Sequence, residues 1–420
     1  MRSFAAIIIA IALVLVSPAP SGDGNALAEG SDGAVVVPLL SRPPHSVEVR
    51  LSGLDGNATR VVLRSADGTG AAYEHITSDS TTFTDVRSGR HEVLVDPVDL
   101  GDAVLTPTPA SRSLRLGAEG RVLRFRFQRT TANLLERGFL TEDREPLLSQ
   151  GHRWYFREAQ PFPKAEDAWA LPLDRQGVVV ASRSGQTFNH PVSQARYGLI
   201  SLASFDLTGD EDYLRKARDQ ARRLLETRVD QGDAYFFPYR FEWTLGATGE
   251  TMTPPWYSGM AQGLALALFV KLSEVTGNDK WRAAADHTFN SLIRAGVTTD
   301  DISVSHVFED HLWLEEYPNR DIERSGHVYN GLMFATFGVY DYYKTTKNPQ
   351  ALLVLRGVLR TVKDMFPIIR NPGGPSYYSI HRTKPHETYH RIHIRQLDFL
   401  RRITGDAEFG EMAGKLRSDH

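Results

Sequence analysis

The chain has 420 residues, 41% of them hydrophobic and 24% charged, with a formal net charge of −3 and no cysteine. That length supports a substantial core and two or more domains. The near-neutral charge excludes a global nucleic-acid footprint, and the lack of thiols excludes disulfides and argues against a zinc or iron–sulfur site.

In chain order, Arg2 precedes an apolar run, Phe4 to Val16, and small residues at Ala26-Leu27-Ala28. This is the pattern of a secretory signal cleaved near residue 28, too short to span a bilayer, which takes roughly 20 apolar residues. A secreted protein without integral membrane association is expected. A polar, glycine-rich spacer covers 29–44.

Residues 45–130 alternate as short strands. Val47, Val49 and Leu51 share one face, Asp55-Gly56-Asn57 makes a turn, and Val61 and Leu63 resume the alternation. Thr82–Val86, Glu92–Val95 and Arg121–Phe127 continue it, which predicts a small accessory β-sandwich. A connecting region, 131–185, follows.

From 186 to 420 the pattern is helical and repeats. Thr208-Gly209-Asp210, Thr276-Gly277-Asn278 and Thr404-Gly405-Asp406 each set a glycine C-cap beside an Asp or Asn N-cap, and Thr346-Lys347-Asn348 is a degenerate fourth. Helical hairpins in an (α/α) toroid are expected, so the fold class is multidomain α+β: a β-sandwich followed by a helical toroid. Tyr257–Val270 reads as an inner core helix, its glycines and alanines allowing close approach, with Tyr257 and Gln262 as cavity candidates.

Candidate chemistry lies at the helix entries. In WLEEYP, Glu315 and Glu316 should point to opposite sides of an extended segment, so one glutamate faces inward, followed by Tyr317. A helix from about Ser325 brings Asn330 at its start. From Tyr378 to Leu397 the sequence YSIHRTKPHETYHRIHIRQL places Tyr389, His393 and Gln396 on one helical face. Phenol, imidazole and amide groups on one face suit a carboxylated sugar, and Arg382, Lys384, Arg391, Arg395, Arg401 and Arg402 form a basic patch facing only Glu387 and Asp398. His390 and His393, three apart, lack a third metal ligand, so no metal or cofactor is expected.

The segments YSGMAQGLALALF, EEYP with NGLMFATFGVYDYY, SYYSIHR and TYHRIHIRQL, in this order, resemble the C-terminal helical domain of the D-glucuronyl C5-epimerases, over about 186–416. The resemblance implies inversion of carbon 5 of glucuronyl residues in a polysaccharide, giving iduronyl residues. It implies Glu316, Tyr317, Tyr378 and Tyr389 as catalytic residues. Substrate contacts are expected from Arg196, Tyr257, Gln262, Asn330, His381, Arg382, His390, Arg391, His393, Arg395 and Gln396. Removing the hydrogen α to a carboxylate builds an enolate that hydrogen-bond donors must stabilise, with a base on one ring face and an acid on the other. A tyrosine base would need cationic neighbours such as His393 or Arg391. The expected partner is an anionic, uronate-containing polysaccharide and no nucleic acid, and a homodimer stays open. A polysaccharide lyase using the same enolate, or a noncatalytic secreted carbohydrate-binding protein, is the alternative.

Overall fold

The computed structural model describes residues 45–66, 72–100, 103–109, 111–143, 146, 148, 154–156, 160–163, 172–246, 248–296, 301–382 and 385–420. The expected signal and spacer, and Lys384 of the basic patch, lie outside these residues. The chain divides into two compact units, up to Ala132 and from Asn133 onward.

In the first unit, strands β1 (Val47–Ser52), β2 (Thr59–Ser65), β3 (Tyr73–Thr77), β4 (Ser80–Phe83), β5 (Gly89–Val95), β6 (Val98–Asp99), β7 (Ala103–Thr108), β8 (Ser111–Leu116) and β9 (Arg121–Thr131) form two sheets. Their orders are β4-β1-β9-β7-β6 and β3-β2-β5-β8. β1 and β9 pair in parallel, Val47 opposite Arg121 and Leu51 opposite Phe125. The alternation predicted for β1 puts Val47, Val49 and Leu51 into an apolar core with Val61, Leu63, Val93, Phe125 and Phe127, drawn from both sheets.

The second unit contains eight α-helices among the described residues: α1 (Pro191–Thr208), α2 (Glu211–Thr227), α3 (Gly259–Thr276), α4 (Asp279–Ile293), α5 (Tyr329–Thr346), α6 (Pro349–Ile369), α7 (Glu387–Thr404) and α8 (Ala407–Asp419). They pair as four hairpins, and the odd-numbered helices pack in the order α1, α3, α5, α7. The turns have a local cause. Gly209, Gly277 and Gly405 end their helices in the left-handed region, and the side chains of Asp210, Asn278 and Asp406 cap the next. Lys347 takes the same conformation at φ 58, and Asn348 caps α6, so the degenerate copy folds alike.

α3 and α5 meet at backbone contact. A Cβ on Gly263 or Gly338 would collide with the main chain of the opposite helix. Because each odd helix is returned by an antiparallel partner, all four begin at the same end of the unit. Short hairpins precede α1, α3 and α5 in the chain, among them Ser305–Phe308 paired with His311–Leu314. Some boundaries differ from expectation: the helix expected over Tyr257–Val270 runs Gly259–Thr276. The helix expected from Ser325 begins at Tyr329, after a 3-10 turn at Ile322–Arg324, and residues 186–189 belong to a hairpin ahead of α1.

Candidate active site

Residues 315–318 leave the hairpin strand His311–Leu314 and run to the start of α5. The peptide is pinned on three sides: Glu315 N donates to Val304 O at 2.8 Å, Gly259 N donates to Glu315 O at 2.5 Å, and Gly326 N donates to Tyr317 O at 2.9 Å. This fixes where Glu316 points. Its carboxylate lies on the first turn of α5, so close that a Cβ on Gly331 would sit 2.5 Å from Oε2. Only glycine leaves room there.

Three phenols complete the cluster. Tyr378 donates to Glu316 Oε2 at 3.3 Å, its ring lies 4.3 Å from that of Tyr389, and the Tyr317 hydroxyl is near enough to Glu316 and Tyr378 to influence their protonation. Behind them, Trp256 stacks on Tyr239 at 3.9 Å and leans on Tyr317 at 5.9 Å. Trp256 and Pro318 also border a cavity of about 790 Å³ lined by Tyr257, Ser305, His306 and Asn319.

Burial dominates the electrostatics. It pushes the Glu316 carboxyl up to about 7, with the Tyr317 and Tyr378 hydroxyls pulling part of the way back and Glu315 adding to the rise. Burial, then the Glu316 charge, also raises Tyr378 and Tyr389, so both phenols are held protonated. The arrangement therefore offers a carboxyl able to gain or lose a proton near neutrality beside hydroxyls set to donate.

Glu316, Tyr317, Tyr378 and Tyr389, named together from the sequence, lie in one cluster. Several other expectations need correction. Glu315 is as buried as Glu316, at 0% and 5% exposure, so both glutamates face inward, towards different groups. Burial pushes Glu315 up, but His327 and His306 outweigh it and hold the group at about 2. Neither of the two expected cations, His393 and Arg391, serves Tyr389. Burial lowers His393 to about 3, hence neutral, and its Nδ1 pairs with Ser376 Oγ at 2.9 Å, while Arg391 is exposed and pairs with Glu387 at 3.6 Å.

Gln262 is a buried cross-brace rather than a cavity group. It donates to Tyr235 O and Ser291 Oγ, each at 2.6 Å, and accepts from Phe237 N. His390 accepts from Ser376 N at 2.9 Å, and His381 pairs with Ser325 O at 2.8 Å, so both histidines hold loops in place. Gln396 Nε2 donates to Asn330 O at 2.9 Å, tying α7 to α5, and the Asn330 side-chain amide is buried with no hydrogen-bond partner.

The basic patch turns away from the phenols. Arg382, Arg391, Arg395, Arg401 and Arg402 are exposed, whereas Tyr389 and His393 are on the buried face of α7. Arg395 sits over the Tyr155 ring at 5.9 Å, and Arg196 over Phe156 at 5.9 Å. Burial lowers Arg196 to about 10. These arginines form a separate aromatic–cation group. Tyr257 lines the 790 Å³ cavity instead of the Glu316 cluster.

Sequence reasoning missed Tyr239 and Trp256. The aromatic density of FFPYRFEW and PPWY carried a signal for the wall they build, but no local periodicity assigns those rings to one site.

The phenol-and-carboxyl cluster at the helix entries of a mixed α/β protein can now be set beside known proteins. Residues 231–418, which contain the whole cluster, match the family model described as D-glucuronyl C5-epimerase C-terminus. The matched segment is thus similar to that family, the one its motifs resemble. An uncharacterized protein of Methanocaldococcus jannaschii is 23% identical over 287 residues, covering 64% of this chain and 89% of its own length. Among solved structures, a family 76 glycoside hydrolase from a bovine Bacteroides thetaiotaomicron strain aligns at 12% identity and TM-score 0.38, over 85% of this chain and 82% of that one. A sugar epimerase from a ruminal bacterium aligns at 12% identity and TM-score 0.40, over 56% of this chain and 59% of that one. These structural likenesses are too distant to bear on chemistry.

Proposed function

We propose that this protein is a polysaccharide uronate epimerase that inverts carbon 5 of D-glucuronyl residues to L-iduronyl. The observation that carries the reading is the contact of the Tyr378 hydroxyl with Glu316, with the Tyr389 ring against Tyr378. Epimerisation needs a group that takes the carbon-5 proton from one face of the sugar and a second that returns a proton to the other. Glu316 in its carboxylate form supplies the base for one face, and a protonated phenol, Tyr389, supplies the acid for the opposite face.

The electron pair left by the departing proton moves onto the substrate carboxylate, making an enolate. Tyr317 and Tyr378 hydroxyls are the donors that meet this charge in a buried setting, where each hydrogen bond counts for more than in water. The family match over residues 231–418 supports the same chemistry. We also read the first unit as an accessory β-sandwich and the second as an (α/α) toroid that holds the site.

The test is to incubate the purified chain with glucuronate-containing polymers in deuterium oxide and follow them by NMR. Deuterium at carbon 5, with new iduronyl signals and unchanged chain length, supports the epimerase. Chain cleavage with the ultraviolet absorbance of an unsaturated uronate would replace it with a lyase. Saccharide binding without exchange would reduce the protein to a carbohydrate-binding module.

A further inference from the structure

Among the described residues, one set of three metal-capable side chains lies outside the proposed catalytic cluster: His306, Glu315 and His327, all buried, with one ligand atom from each within 4.8 Å of the others. Their approach is close. His306 Nε2 is 3.2 Å and His327 Nδ1 is 2.5 Å from the same oxygen, Glu315 Oε1. These contacts are within ion-pair range, yet among the described residues none of the three atoms has a hydrogen-bond partner of acceptable geometry. Three buried heteroatoms that converge this closely with poor hydrogen-bond geometry suit an ion between them that accepts their lone pairs.

The surroundings hold the set in place. Glu315 Oε2 accepts from His327 N at 2.9 Å, which orients the carboxylate and leaves Oε1 for the two rings. The His327 ring is packed between Phe308, at 4.5 Å, and Trp313, at 4.9 Å. His327 also takes φ 41, a conformation that costs a non-glycine residue energy and brings its ring back towards Glu315. His306 also lines the 790 Å³ cavity, so one member of the set borders open space.

We propose that His306, Glu315 and His327 form a binding site for a divalent transition-metal ion of the zinc type, with two imidazole nitrogens and one carboxylate oxygen as protein ligands. Zinc sits about 2.0–2.1 Å from histidine nitrogen and about 2.0–2.2 Å from carboxylate oxygen, so tetrahedral ligand atoms stand roughly 3.3 Å apart. The His306–Glu315 separation already fits, and a small rotation of His327 opens the shorter one. No thiol is required, so the lack of cysteine, which argued against zinc, does not bear on this donor set. The ion ties the Ser305–Phe308 strand to the loop entering α5, and so fixes the peptide from which Glu316 points the other way.

The experiment uses the full chain, stripped with a chelator and then titrated with zinc or cobalt. One ion per chain is expected, with the visible absorption of four- or five-coordinate cobalt and a rise in Tm on adding zinc. His306→Gln and His327→Gln should each weaken zinc binding about 100-fold or more, since even loss of an outer-shell partner costs about 10–100-fold. Tyr389→Phe should bind zinc as the parent does, which separates this site from the proposed chemistry. Failure of the unmodified chain to bind zinc or cobalt overturns the assignment without reference to any variant, and so does unchanged affinity in both histidine variants.

Discussion

Glu315 and Glu316 share a peptide bond, but their carboxylates occupy opposite electrostatic settings. Two histidines hold Glu315 at about 2, while burial among tyrosines lifts Glu316 to about 7. Consecutive side chains of an extended segment point to opposite sides, and here both sides are interior. One glutamate is thus committed to a permanent negative charge and the other is free to exchange a proton.

Removing that exchange should abolish turnover without dismantling the fold. Glu316→Gln and Tyr389→Phe each delete one proton carrier, and Tyr378→Phe deletes a donor to the enolate, with almost no change in shape. Each is expected to slow deuterium incorporation at carbon 5 by about 10²–10⁴-fold, the usual contribution of a positioned acid or base. Polymer affinity measured alongside should change far less, and retained exchange in all three variants would remove these residues from the chemistry.

Gly331→Ala tests position rather than identity. The new methyl would stand 2.5 Å from Glu316 Oε2 and 2.7 Å from its Cβ, so the carboxylate must move. Alanine is the better helix former, and the helix itself should survive. Turnover should fall roughly 10–100-fold, since displacements near 1 Å at a reacting group have that effect, with the far-ultraviolet circular dichroism unchanged.

Stability should fall in acid through two buried histidines. Burial depresses His190 to about 4 and His393 to about 3, from an ordinary value of 6.5. Below about 6.5 the unfolded chain takes up protons that the folded chain refuses, so the contribution is complete above that pH and is lost as pH falls towards 3–4. The unfolding free energy from urea titrations should drop between pH 7 and pH 5 by an amount on the order of 1–2 kcal/mol per histidine in that window. His393→Gln should show a shallower decline than the parent, and equal slopes would contradict the assignment.

The α3–α5 crossing predicts a severe lesion from a single methyl. In Gly263→Ala the added carbon meets the main chain of Ala335, which no rotamer change can relieve. The cost should exceed the roughly 1–3 kcal/mol of ordinary overpacking. Gly414→Ala in α8 meets nothing within 4 Å and should gain up to about 1 kcal/mol by helix propensity. Thermal melts of the two variants against the parent decide the point.

What could be read early was local. Gly209, Gly277 and Gly405 with their Asp or Asn neighbours announce helix ends because capping involves residues one to three positions apart. The small residues of α3 announced a close helix contact for a similar reason. The charge pattern misled because Arg391 and Arg395 are adjacent in sequence to Tyr389 and His393 yet lie on the opposite, exposed face of α7.

By itself the sequence determined the hairpin repeat, the alternation of β1, and the motif segments of the family match, since each depends on neighbours along the chain. Tertiary structure alone decided that Tyr378 reaches Glu316 across 62 positions, that Gln262 and His393 brace the core, and that Glu315 meets His306 and His327. The reason is physical. A side chain's protonation and hydrogen bonds depend on what surrounds it in space, and packing brings those groups together from segments that carry no record of one another.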